Sequence, residues 1–133
     1  MKIKHEKIFQ RDRWLCAFCG VVRTDGALVV HHRGNRGMGG NKHANSTSNL
    51  LSLCGLCNGV IESDADAARQ ARRWGIKIPT YFASGAHIMP VKMPVPGMQL
   101  RVWMSLDNHY GTAIAGDEHQ QWIEWMEHDH GVV

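Results

Sequence analysis

Four cysteines fall into two Cys-x-x-Cys pairs, Cys16 with Cys19 in WLCAFCG and Cys54 with Cys57 in LCGLCN, and they bracket two adjacent histidines, His31 and His32. Thiolates three positions apart can wrap one side of a tetrahedral ion, so two such pairs can close a Zn²⁺ site with four sulfurs. A closed shell of this kind is structural, because it leaves no position for a substrate. The histidines point to a second, reactive centre. Neutral imidazole titrates near ~6.5, so it can take a proton from water at cell pH. Beside a divalent cation, that suits hydrolysis of a phosphodiester. The reaction needs an activated water, stabilisation of charge on the phosphoryl oxygens, and help for the departing alkoxide. The two histidines would divide these roles, and spacing alone does not decide which takes which.

Several elements must position these groups. Asp25-Gly26 marks a tight turn before the apolar run ALVV, which predicts a strand delivering the histidines to its end. Neighbouring side chains on a strand leave opposite faces, so a working pair requires the backbone to bend or stop there, and Arg33-Gly34 suits a stop. RGNRGMGGNKHANSTS predicts a long loop. Its Arg33, Arg36 and Lys42 sit in a glycine-permitted backbone that could approach phosphates closely, or they simply decorate a flexible surface. Asn49-Leu53 predicts a short returning segment. The second cysteine pair then opens a helix with Asn58 in its first turn. A further helix is expected over DADAARQARRW, capped by Ser63 or Asp64 and stopped by Gly75, with Arg69, Arg72 and Arg73 making one face basic.

Ahead of the first knuckle, Lys4 to Arg13 predicts a short helix. Its Lys4, Lys7, Arg11 and Arg13 either follow a nucleic-acid backbone or face solvent. Beyond Pro79, the spacing of Pro79, Pro90, Pro94 and Pro96 predicts an extended segment wrapped over the core. QLRVWMSL and GTAIAG, either side of DNHY, predict an antiparallel hairpin. DEHQQWIEWMEHDH predicts a last helix with Asp117 as N-cap and Trp122, Ile123, Trp125 and Met126 on its buried side. His128 and His130 read as a solvated tail.

At 133 residues and 44% apolar content, the chain suits one small domain with a modest core that a zinc clamp would help to fold. The net charge of +3 is uneven. Residues 1–45 hold nine Lys/Arg against three acids, and residues 46–133 hold six against nine. The basic half carries the histidines and loop, which suits a polyanion such as DNA. No apolar run approaches the ~18 residues of a membrane span, and MKIKHEKIFQ lacks a secretory core, so a cytoplasmic protein is expected. In a reducing compartment paired cysteines are more often metal ligands than disulfides. A thioredoxin-like dithiol would leave the second pair and the His-His-Arg string unexplained.

C-x-x-C-G at 16–20, HHR at 31–33, NL at 49–50 and LC-x-x-CN at 53–58 together resemble the zinc-containing branch of the HNH endonucleases. The resemblance spans Asp12 to Ser63. It implies an α+β fold with a ββα-metal (His-Me finger) core clamped by a four-cysteine zinc site. On that reading residues 1–78 form the nuclease core, and residues 79–133 form an extension of extended segment, hairpin and helix packed on it. It also implies His31 as a metal ligand, His32 as the general base, Asn49 as the amide that positions the base and braces the loop, and Asn58 as the closing ligand. The motif's last position is usually histidine, and Asn58 departs from it. A neutral amide oxygen is a weak ligand, so a loosely held Mg²⁺ or Mn²⁺ is expected, with His43 or Glu62 as alternatives that could replace or assist Asn58. Structural zinc is expected at Cys16, Cys19, Cys54 and Cys57. DNA is the implied substrate, cut with weak sequence specificity. A phage or mobile-element setting, beside terminase and packaging proteins, is the implied context. Two other classes compete: a zinc-knuckle module that binds nucleic acid without cutting it, and a protein-interaction adaptor built on Trp122 and Trp125.

Overall fold

A computed structural model of the chain describes residues 2–34, 46–79, 89–106, 111–113 and 120–127. Helix α1 (Lys2–Arg11) contains neither Gly nor Pro, and it buries Ile8. Just past it, Arg13 and Trp14 both take left-handed backbone angles, φ 60° and 58°. Such angles cost a side-chain-bearing residue roughly 1–3 kcal/mol. They are held by Trp14 N–H donating to the Phe9 carbonyl at 2.8 Å and by packing of the two rings, 5.6 Å between centroids. The reversal delivers the chain to the first cysteine pair.

Strands β1 (Leu28–His32) and β2 (Leu50–Cys54) pair antiparallel, with Leu28 opposite Cys54 and His32 opposite Leu50. The turn at Asp25-Gly26 uses glycine's freedom at φ 86°, and the Asp25 carboxylate accepts the Ala27 N–H. All five residues of β2 are buried. A 3-10 turn at Thr47–Asn49 precedes β2, and helix α2 (Gly55–Ser63) follows it without a linker, Cys54 serving as N-cap. Asp64 caps α3 (Ala65–Arg73) by accepting the Ala67 N–H at 2.8 Å, and Gly75, at φ 73°, stops it.

A second sheet has the order β3-β4-β5, from β3 (Val91–Pro94), β4 (Arg101–Leu106) and β5 (Gly111–Ala113), all antiparallel. The β4–β5 hairpin matches the sequence reading, whereas β3 lies in the stretch expected to be merely extended. Pro94 is tolerated because β3 is an edge strand of this sheet, where one side needs no ladder donor. Helix α4 (Gln120–Glu127) buries Ile123, and Trp125 packs against Ile78 and Met89. Asp117, His128 and His130 lie outside the described residues.

The chain is therefore α+β, four helices with two small antiparallel sheets among the described residues. Leu15, Leu51, Leu53, Ile61 and Ile76 share one core with Val91, Met93 and Leu106. Segment 89–106 thus completes the interior of the part that carries the cysteines. Among the described residues no helix is long and apolar enough to cross a membrane.

Candidate metal centres

The two cysteine pairs meet. Their four Sγ atoms all lie within 4.8 Å of one another, and none is in a disulfide. Sulfurs bound tetrahedrally at ~2.3 Å sit a little under 4 Å apart, so this cluster fits zinc with minor adjustment. Each pair forms a knuckle in which a backbone N–H points at the first sulfur, Cys19 to Cys16 at 3.4 Å and Cys57 to Cys54 at 3.5 Å. Gly20, at φ 80°, closes the first knuckle, its N–H donating to the Cys16 carbonyl at 2.8 Å. Burial pushes the Cys16 and Cys57 thiols up. It pushes Cys54 the same way, but hydrogen bonds from its neighbours outweigh it and leave that thiol low. Four crowded sulfurs cannot all ionise without a cation between them, and a soft or borderline cation such as Zn²⁺ is what they suit. These cysteines are the one group of three or more His, Cys, Asp or Glu side chains gathered to hold an ion among the described residues.

Arg101, far away in sequence, ties this knuckle to the second sheet. Its guanidinium donates to the carbonyls of Ala17, Phe18 and Lys92 and lies 3.5 Å from the centroid of the Trp74 ring. Burial lowers it to about 10, partly offset by Cys16 and Cys19, so it stays cationic beside the cysteine cluster. Nothing in the local sequence around Arg101 signals this role, because its partners come from other elements.

The histidines sit at the end of β1. His31 is buried, with Nε2 2.9 Å from the Ile76 carbonyl. A carbonyl can only accept, so Nε2 carries the proton and Nδ1 keeps its lone pair. The Asn58 side chain lies near enough to His31 to act on its protonation. Burial pulls His31 down to about 4, against the Ile76 bond and the nearby Asn58 side chain, which raise it, so the ring is neutral at cell pH. A neutral imidazole braced from behind by a carbonyl is the arrangement metal-ligating histidines commonly show. Asn58 and Glu62 are spaced four apart on α2 and so share a face. Glu62 is paired with Lys77, and both charges act on His31.

His32 closes β1 opposite Leu50, half-buried, and strand alternation directs it to the face opposite His31. The ladder stops there and the chain bends at Arg33 and Gly34, as the Arg-Gly step suggests. Asn49 is fully buried. Its side chain accepts the Gly34 N–H at 2.8 Å and donates to the Gly34 carbonyl at 3.0 Å, clamping the chain two residues beyond His32.

Two expectations are corrected. Arg33, expected at a phosphate surface, is 1% exposed and its guanidinium is committed to backbone carbonyls. Burial, with Arg11 nearby, lowers it to about 9, still protonated at neutral pH. Arg11, expected along a nucleic-acid backbone or in solvent, is buried against Asp12 at 2.8 Å and donates to the Thr47 and Leu50 carbonyls. Asp12 also accepts the Ser52 N–H, so the pair locks α1 to β2. A glycine-rich neighbourhood or a charged helix signals exposure only on average, and tertiary carbonyls claimed both arginines. Arg36, Lys42 and His43 lie outside the described residues. No family model matches the chain, nor does any curated protein or solved structure.

Proposed function

We propose that the protein is a metal-dependent HNH endonuclease acting on DNA, built on a ββα-metal core. The observation that carries the reading is the buried, neutral His31 at the end of β1, held at Nε2 by the Ile76 carbonyl 2.9 Å away, with the Asn58 side chain of the first turn of α2 close enough to act on it. The β1-β2-α2 order with a four-cysteine cluster at the strand-to-helix junction supports the same reading.

In this mechanism His31 and Asn58 would hold a hard divalent cation, Mg²⁺ or Mn²⁺. When bound, that ion supplies charge stabilisation at the phosphoryl and leaving oxygens. His32 would take the proton from the attacking water; because it leaves the face of β1 opposite His31, its ring would have to reach round the end of the strand, where the ladder stops, to meet the same phosphate. Asn49 acts on His32 indirectly, by clamping Gly34 and so setting where the strand ends. Zinc at the four cysteines would tie β2 to the start of α2, and with it Asn58. Contact with DNA would be dominated by phosphates, with little base reading.

The test is a plasmid assay with Mg²⁺, Mn²⁺ or EDTA on wild type and His32→Ala. Metal-dependent nicking in wild type, reduced by about 10²-fold or more in the variant, is expected. Binding without cutting under every metal would leave the non-catalytic zinc-knuckle module as the better reading.

A further inference from the structure

Ile76 and Lys77 are consecutive, so the backbone whose carbonyl orients His31 also delivers an ammonium to the same place. Lys77 Nζ lies 3.2 and 3.3 Å from the two oxygens of Glu62. Glu62 stands one helical turn after Asn58 on the same face of α2. The His31 imidazole, the Asn58 amide and the Glu62 carboxylate thus belong to one neighbourhood, joined by the Ile76-Lys77 backbone and one face of α2. The only anionic donor of the three is already held by a cation.

Resting on the nuclease reading above, we propose that the Lys77–Glu62 ion pair is an exchange latch: a divalent cation held by His31 and Asn58 takes over the Glu62 carboxylate, and the released Lys77 ammonium binds a nucleic-acid phosphate. Charge balance drives the exchange. His31 and Asn58 are neutral donors, so Glu62 brings the negative charge that a hard cation requires. An ammonium left beside a dication loses its partner and meets repulsion, and a phosphate relieves both. Glu62 is half exposed and Lys77 one-fifth exposed, so their pair is weak enough to be exchanged. Ion and polyanion then favour each other's binding, because each claims one half of the pair.

The test uses the full-length, zinc-loaded protein. Lys77→Met keeps the aliphatic stem and deletes the charge; Glu62→Gln deletes the carboxylate charge. Zinc content and far-UV circular dichroism report folding of both. Mn²⁺ binding, read by electron paramagnetic resonance of the free ion, is expected to tighten about two- to fivefold in Lys77→Met, the worth of a partly exposed ion pair. In Glu62→Gln it is expected to weaken about tenfold or more. In a His32→Ala background, which spares the duplex, Lys77→Met should lower the log–log salt slope of binding to a short DNA duplex by about 0.9, one phosphate contact, with Mn²⁺ present and not in its absence. Unchanged or weaker Mn²⁺ binding in Lys77→Met, unchanged binding in Glu62→Gln, or an equal slope loss with and without Mn²⁺ overturns the latch. If wild type never nicks plasmid, the nuclease reading falls while the Mn²⁺ titrations still decide the latch. If wild type nicks and Lys77→Met leaves Mn²⁺ affinity unchanged, the latch alone falls.

Discussion

Replacing Arg33 tests whether a charge buried at the end of β1 holds the fold or serves a surface. Its Nε donates to the Gly75 carbonyl at 2.8 Å, Nη1 to Ser48 at 3.0 Å, and Nη2 to Met89 at 2.7 Å and Pro90 at 3.2 Å. Three segments distant in sequence therefore meet on one planar group. Arg33→Met fills much of the volume but leaves these carbonyls short of donors, at ~1–3 kcal/mol for each one left unsatisfied. Relief from burying a charge offsets part of that, leaving an expected net loss of ~3–5 kcal/mol from the carbonyls left without donors. For a chain of this size the loss lowers Tm by roughly 10–20 °C. Urea and thermal melts of the zinc-loaded protein measure it. Arg33→Lys should recover only a minor part, because an ammonium lacks the planar fork that spans four acceptors. A loss below about 1 kcal/mol in Arg33→Met would refute the argument. So would a folded, zinc-replete Arg33→Lys protein that loses a phosphate's share of the salt slope in DNA binding, since the guanidinium would then belong at the surface the sequence suggests.

Two further outcomes concern the clamp and the joint between the two sheets. Cys57→Ser, which removes a buried sulfur at the start of α2, should drop the zinc-to-protein ratio by elemental analysis and lower Tm, and a strong chelator should produce the same shift in wild type; a chelator-insensitive melt would remove the metal from the fold. Gly75→Ala should destabilise by about 3 kcal/mol or more by denaturant titration. The added Cβ would sit 2.2 Å from the Pro90 carbonyl oxygen at a backbone angle of φ 73°, so a stability loss under about 1 kcal/mol would contradict the close approach.

Local chemistry made much of the architecture legible. Asp64 as N-cap and Gly75 as stop were readable because capping depends on side chains a few residues away. The strand ending at His32, the return over Leu50–Cys54 and the β4–β5 hairpin followed from alternation and turn residues. Strand β3 was not readable, since VKMP is short and proline-bounded, and its pairing with β4 depends on residues beyond the next turn. In the candidate site, the cysteine spacing announced a clamp. Arg33 misled because glycine and arginine together resemble a phosphate loop, whereas its actual partners are the carbonyls of Ser48, Gly75, Met89 and Pro90.

By itself the sequence determined the polar groups of the candidate sites and their order along the chain: two thiol pairs, two histidines, and the amides of Asn49 and Asn58. It could do so because a knuckle, a cap and a turn are closed by groups within a few bonds of one another. Tertiary structure alone decided which donors face each other and which cations remain outside. His31 meets both Asn58 and the Ile76 carbonyl, Lys77 meets Glu62, and Arg33 goes inward, because those contacts join residues 15 to 57 positions apart. Over such separations a side chain's partner is set by how helices and strands pack around the shared core, which no local pattern records.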